Sequence, residues 1–65
     1  MKRVALQKHL RRCGAEFRNH GGRHDRWVHR GNGTITSISR ERKIDPPVVR
    51  EICKQLGVPL PPSVN

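Results

Sequence analysis

The segment Gly21-Gly22-Arg23-His24-Asp25-Arg26-Trp27 gathers the residue types that phosphodiester chemistry requires. Two glycines permit a tight turn and let a bound backbone approach closely. The histidine after them has a reference pKa of ~6.5 and exchanges a proton near neutral pH, and Arg23 and Arg26 flank it where a phosphate would be held. Together they are the minimum set for cutting RNA without a metal: a proton shuttle for the 2′-hydroxyl or the leaving oxygen, and cations for the charge that develops around phosphorus. Acid-base help of this kind contributes about 10²–10⁴ in rate. The same residues also read as an ordinary turn in which His24 hydrogen-bonds at a strand end.

Other chemistries find less support. His9, His20, His24 and His29 crowd the first half of the chain, and His20 and His24 have the H-x3-H spacing of half a zinc finger. The complementary cysteine pair is missing, because Cys13 and Cys53 stand alone at helix ends, so no metal is expected. Both cysteines read as reduced, buried, small apolar residues of a cytosolic protein. Ser37, Ser39 and Ser63 lack a nucleophile-elbow context. Glu16 and Asp25 read as possible strand neighbours, but two acids are too few for a magnesium site.

The whole chain limits what can hold these residues. It has 65 residues, 14 Lys plus Arg against 5 Asp plus Glu, and a net charge of +9. A chain this short buries only ~60% of the surface it exposes when unfolded. That excludes a multidomain enzyme, a Rossmann fold and a deep cofactor cavity, and no cofactor is expected. With 32% hydrophobic residues and only Phe17 and Trp27 as aromatics, the composition lies near the disordered boundary, so order must come from arrangement. The charge points to an anionic partner, with nucleic acid first. No apolar run approaches the ~18 residues of a membrane span, and a soluble, cytoplasmic protein is expected.

The arrangement resolves into helix, three strands, helix. From Lys2 to Arg12 good helix formers carry Leu6, Leu10 and Cys13 on one face, and Gly14 closes them. A strand around Phe17 spans 15–19 and ends at the turn signal His20-Gly21-Gly22, and a second spans 24–30. Asn32-Gly33 supplies a hairpin turn into a third strand over 34–39. Asp45 reads as the N-cap of a helix that begins with Pro46-Pro47, presents Val49, Ile52, Cys53 and Leu56, and closes at Gly57. Residues 1–58 read as one domain and 59–65 as an extended, frayed, proline-rich tail. The fold class is α+β: α-β-β-β-α, a three-stranded antiparallel sheet with both helices on one face and the other face open.

Strand alternation places Asp25, Trp27 and His29 on one face of the second strand and His24, Arg26 and Val28 on the other. Trp27 has two readings, a core anchor or a platform for stacking bases. As the better core residue it sends His24 and Arg26 toward the open face.

Gly21-Gly22-Arg23-His24, Trp27 in the strand, the connector ending at Ile44 and the helix Val49-Arg50-Glu51-Ile52-Cys53-Lys54-Gln55-Leu56-Gly57-Val58 resemble the HicA family of toxins from bacterial type II toxin-antitoxin modules. The resemblance runs from about Leu6 to Val58. It implies a fold like that of double-stranded-RNA-binding domains, an mRNA interferase with one essential histidine, and a HicB antitoxin that covers the site. Gly22 matches the turn glycine and His24 the catalytic histidine. The family commonly carries Pro-x-His at the end of the third strand, where this chain reads Ser37-Ile38-Ser39-Arg40; either Ser39 or Arg40 takes over that role or activity here is reduced.

The expected function is therefore a metal-independent endoribonuclease toxin acting on single-stranded or locally open mRNA, since a closed A-form duplex hides base edges and constrains in-line attack. His24 is the expected catalytic residue, and Gly22, Arg23, Arg26, Arg40 and Lys43 are the expected RNA contacts. The expected partners are mRNA and a HicB-type antitoxin, with no membrane, and with DNA reached only through the antitoxin. A non-catalytic RNA-binding module of the same fold is the alternative; a DNA-binding protein is weaker because the helices lack a helix-turn-helix arrangement.

Overall fold

A computed structural model describes residues 1–62. The elements are α1 (Arg3–Arg12), β1 (Ala15–Gly21), β2 (His24–His29), β3 (Ile35–Ser39) and α2 (Pro46–Leu56), and the strands form one antiparallel sheet in the order β1-β2-β3. The expected α-β-β-β-α architecture is the observed one.

Each helix contributes a stripe to one core. Leu6 and Leu10 of α1 and Val49, Ile52, Cys53 and Leu56 of α2 pack with Ala15, Trp27, Ile38 and Ile44. Trp27 is the largest buried side chain, 1% exposed, with the Arg11 guanidinium 5.2 Å from its ring centroid. Its burial excludes the stacking-platform reading. Its indole nitrogen has no partner among the described residues, which costs a small core part of its burial gain.

The element ends follow the punctuation residues, with two departures. Gly57, at φ +71, ends α2, with its N–H bonded to the Lys54 carbonyl and that of Val58 to the Cys53 carbonyl, the paired bonds of a Schellman motif. Asp45 stands at the N-cap position of α2, but its side chain makes no capping bond; Pro46 and Pro47 start the helix with preset φ instead. The tail expected to fray does not do so over 59–62. His9 Nε2 lies 2.7 Å from the Pro59 carbonyl oxygen and Pro61 is fully buried, so this segment is tied to α1. Residues 63–65 of that expected tail, Ser63 among them, lie outside the described residues.

β1 runs two residues further than its polar sequence suggests, to Gly21, and it carries a bulge. Phe17 pairs with Trp27 and Asn19 with Arg26, leaving Arg18 as the extra residue. Glu16 pairs with Val28 and Asp25 with His20, so Glu16 and Asp25 are not the strand neighbours that the sequence left possible.

With so thin a core, Leu10→Ala should cost about 2–5 kcal/mol and remove most of the stability, whereas Val4→Ala on the exposed side of α1 should stay within about 0.5 kcal/mol. Urea unfolding followed by circular dichroism checks both.

Candidate active site

The hairpin joining β1 to β2 is as tight as such connections become. Gly21 pairs with His24, so only Gly22 and Arg23 lie between the strands, and Gly22 sits at φ +58. A two-residue turn of type II′ requires positive φ at its first central position, which glycine adopts without strain. No atom lies within 4 Å of where a Gly22 side chain would begin, so conformation and not space demands glycine.

His24 opens β2 immediately after the turn. It is exposed, and its register partners are Gly21 on β1 and Ser39 on β3. Alternation places it on the face opposite buried Asp25 and Trp27, with exposed Arg26 two residues on. A Cβ built on Gly21 would stand 3.1 Å from the Arg26 Nε, so glycine there gives that guanidinium room to lie across the sheet beside His24. Arg23, Ser39, Arg40 and Glu41 line an open depression of about 380 Å³ at the same end of the sheet.

The four histidines divide by what they touch. His9 meets the Pro59 carbonyl. His29 Nε2 lies 3.0 Å from the Cys13 carbonyl oxygen, while its Nδ1 accepts the Gly31 N–H, tying the end of α1 to the β2–β3 loop. His20 Nδ1 is 2.7 Å from the Asp25 carboxylate. Among the described residues, the imidazole of His24 has no hydrogen-bond or ion-pair partner.

The His20–Asp25 pair was not visible in the sequence pattern. The two-residue turn sets His20 opposite Asp25, and the Arg18 bulge shifts the alternation by one residue so that Phe17, opposite Trp27, shares that face with His20. Arg40 completes the cluster: its Nε donates to Asp25 Oδ1 at 3.1 Å, and its Nη2 donates to the Gly22 carbonyl. Arg40, expected to contact substrate phosphate, here lays its guanidinium across the turn on both sides of His24 and lines the open depression. Of the expected site residues, Gly22, Arg23, His24, Arg26 and Arg40 come together at this end of the sheet. Lys43 does not; it pairs with Lys2 beside the start of α1. Among the described residues no group of three or more His, Cys, Asp and Glu gathers in a metal-holding arrangement.

The His20 hydrogen bond is the main reason the Asp25 carboxyl lies below its ordinary value of 3.8; burial opposes this, and the charges of His20 and Arg40 reinforce it. The fold thus favours ionised Asp25, whose stabilisation is complete above about pH 3.8 and fades as the pH falls through the lowered value. Asp25→Asn should therefore melt below the parent protein near neutral pH, with the gap closing under acid conditions below that value. Melting curves across the acid range check the sign.

Residues 5–58 match the family model described as the HicA toxin of bacterial toxin-antitoxin systems. No curated protein and no solved structure matches the chain.

Proposed function

This chain belongs to the HicA toxin family of bacterial toxin-antitoxin systems, whose members are generally ribonucleases, and from that premise we propose that it is an endoribonuclease of mRNA with His24 as its acid-base residue. One observation carries the assignment: among the described residues His24 alone of the four histidines has no partner, and it is exposed on the open sheet face beside Arg26.

The chemistry follows from these groups. The substrate 2′-hydroxyl attacks the adjacent phosphorus, its proton passes to a base, the bond from phosphorus to the 5′-oxygen breaks, and that oxygen takes up a proton. His24 supplies one of the two proton transfers. Arg23 and Arg26 hold the non-bridging oxygens, where negative charge grows. Ser39, opposite His24 in the register, replaces the family's third-strand histidine in placing substrate, while Arg40 holds the turn. The strand must be open for in-line attack, so single-stranded mRNA is the substrate class. No step calls for a metal or a cofactor.

An acidic antitoxin of the HicB type restrains this activity by covering the basic open face and His24, and the protein works in the cytoplasm where its mRNA is. Residues 1–58 form the functional unit, with 59–62 docked on α1. DNA is approached only through the antitoxin.

Purified protein with single-stranded RNA in EDTA tests the reading. Wild-type protein should cleave, and His24→Ala should lose at least about 10²-fold in rate while it keeps its fold and RNA binding. Binding without cleavage by the wild type would return the protein to a non-catalytic RNA-binding module, and undiminished cleavage by the variant would remove His24 from the chemistry.

A further inference from the structure

At the other end of the β3–α2 connector the chain forms a small basic enclosure. Residues 1–3 run antiparallel to 42–44: the Arg3 N–H donates to the Arg42 carbonyl at 2.8 Å and the Ile44 N–H to the Met1 carbonyl at 2.8 Å. Lys2 and Lys43 are direct cross-strand partners. Lys2, Arg3, Val4, Arg42 and Lys43 line a depression of about 390 Å³, so four cations and no carboxylate face it.

This arrangement is electrostatically unfavourable on its own. Like charges directly opposite one another across a strand pair destabilise it, and none of these four cations has an ion-pair partner within 4 Å among the described residues. The first turn of α1 holds no acidic residue either, so the cations also stand at the positive end of that helix. A local rule broken in a minimal domain points to function, and the missing component is an anion.

The connector indicates which anion. The Arg3 guanidinium donates to the Arg40 carbonyl, and the Arg40 side chain clasps Gly22 and Asp25 beside His24. Residues 40–42 thus join the depression lined by Arg23, Ser39, Arg40 and Glu41 to the one lined by Lys2, Arg3, Arg42 and Lys43, with Glu41 as the one acid between them. Three residues of extended chain reach about 10 Å, short enough for one nucleic-acid strand to touch both.

We propose that the Lys2–Arg3–Arg42–Lys43 depression is a phosphate subsite that grips the backbone of the substrate RNA away from the cleaved bond. The identity of the anion rests on the ribonuclease reading above. The subsite anchors and does not catalyse: it lowers KM for strands long enough to reach it and leaves the proton transfers to His24. Phosphate contacts of this kind carry no base specificity.

The test uses the full chain carrying His24→Ala, so that binding is read without cleavage, and a fluorescent single-stranded RNA oligonucleotide. Lys2→Gln, Arg42→Gln and Lys43→Gln are combined; their side chains hold no structural hydrogen bond among the described residues, and Arg3, which does, is kept. A control combines Lys8→Gln, Arg12→Gln and Lys54→Gln, removing the same charge elsewhere on the helices. The subsite variant should bind about tenfold or more weakly at ~0.1 M salt, and its slope of log K against log salt should shallow by about 0.7 for each phosphate lost. The control should leave the slope near that of the parent. Equal losses in both variants, or an unchanged slope in the subsite variant, would overturn the subsite. With His24 restored, the subsite variant should raise KM on the oligonucleotide at unchanged kcat and leave a dinucleotide unaffected. Failure of wild-type protein to cleave would sink the ribonuclease reading without touching the binding comparison.

Discussion

The burial of Trp27 is the constraint on which the rest of the molecule depends. A chain with one tryptophan, one phenylalanine and a handful of aliphatic residues has few ways to close a core, and Trp27 is its largest wholly buried side chain. Once that residue faces the helices, the two-residue period of β2 fixes Asp25 beside it and turns His24 and Arg26 to the opposite, open face. A shift of one residue in register would bury the imidazole and expose the indole. The packing that stabilises the fold therefore also presents the candidate catalytic group.

A second layer holds the end of that strand still. Gly22 supplies the turn geometry, and the Asp25 carboxylate receives His20 from β1 and Arg40 from beyond β3, so all three strands are tied together where His24 emerges. Oriented groups lose little freedom on meeting a substrate, and a hairpin tip without such ties would fray. The basic charge divides accordingly. Arg40 and Arg11 serve the fold, Arg23 and Arg26 stand by the imidazole, and the cations at residues 2, 3, 42 and 43 gather in a place of their own.

The architecture was legible from local chemistry: Gly14, Gly57 and the proline pair bound the helices, apolar spacing set their inner faces, and Asn32-Gly33 marked the second hairpin. The position of His24 was legible for the same reason, because strand alternation and the preference of tryptophan for a core decide it. What escaped was whatever a single bulge or a long-range contact decides. No residue type announces the extra Arg18, yet it puts Phe17 and His20 on one face, across from Trp27 and Asp25. The Asp45 side chain follows the capping preference in identity but not in bonding. The proline-rich end looked suited to solvent, yet Pro61 is buried and the Pro59 carbonyl meets His9 of α1, long-range contacts that no local pattern could reveal. Lys43 and Arg40 both read as generic phosphate contacts, and only the tertiary structure separates a residue that clasps the turn from one that lines a distinct depression.

In the proposed reaction the substrate's own 2′-hydroxyl is the nucleophile, and the unpartnered histidine on the open face supplies one of the proton transfers. The chemical identity of the newly formed RNA ends tests it most directly. Cleavage by this route leaves a 2′,3′-cyclic phosphate, or the 3′-phosphate formed from it, on one fragment and a 5′-hydroxyl on the other, as read by mass spectrometry of a defined oligonucleotide. A 5′-phosphate paired with a 3′-hydroxyl would mean that water and not the 2′-oxygen is the nucleophile, and would contradict the account.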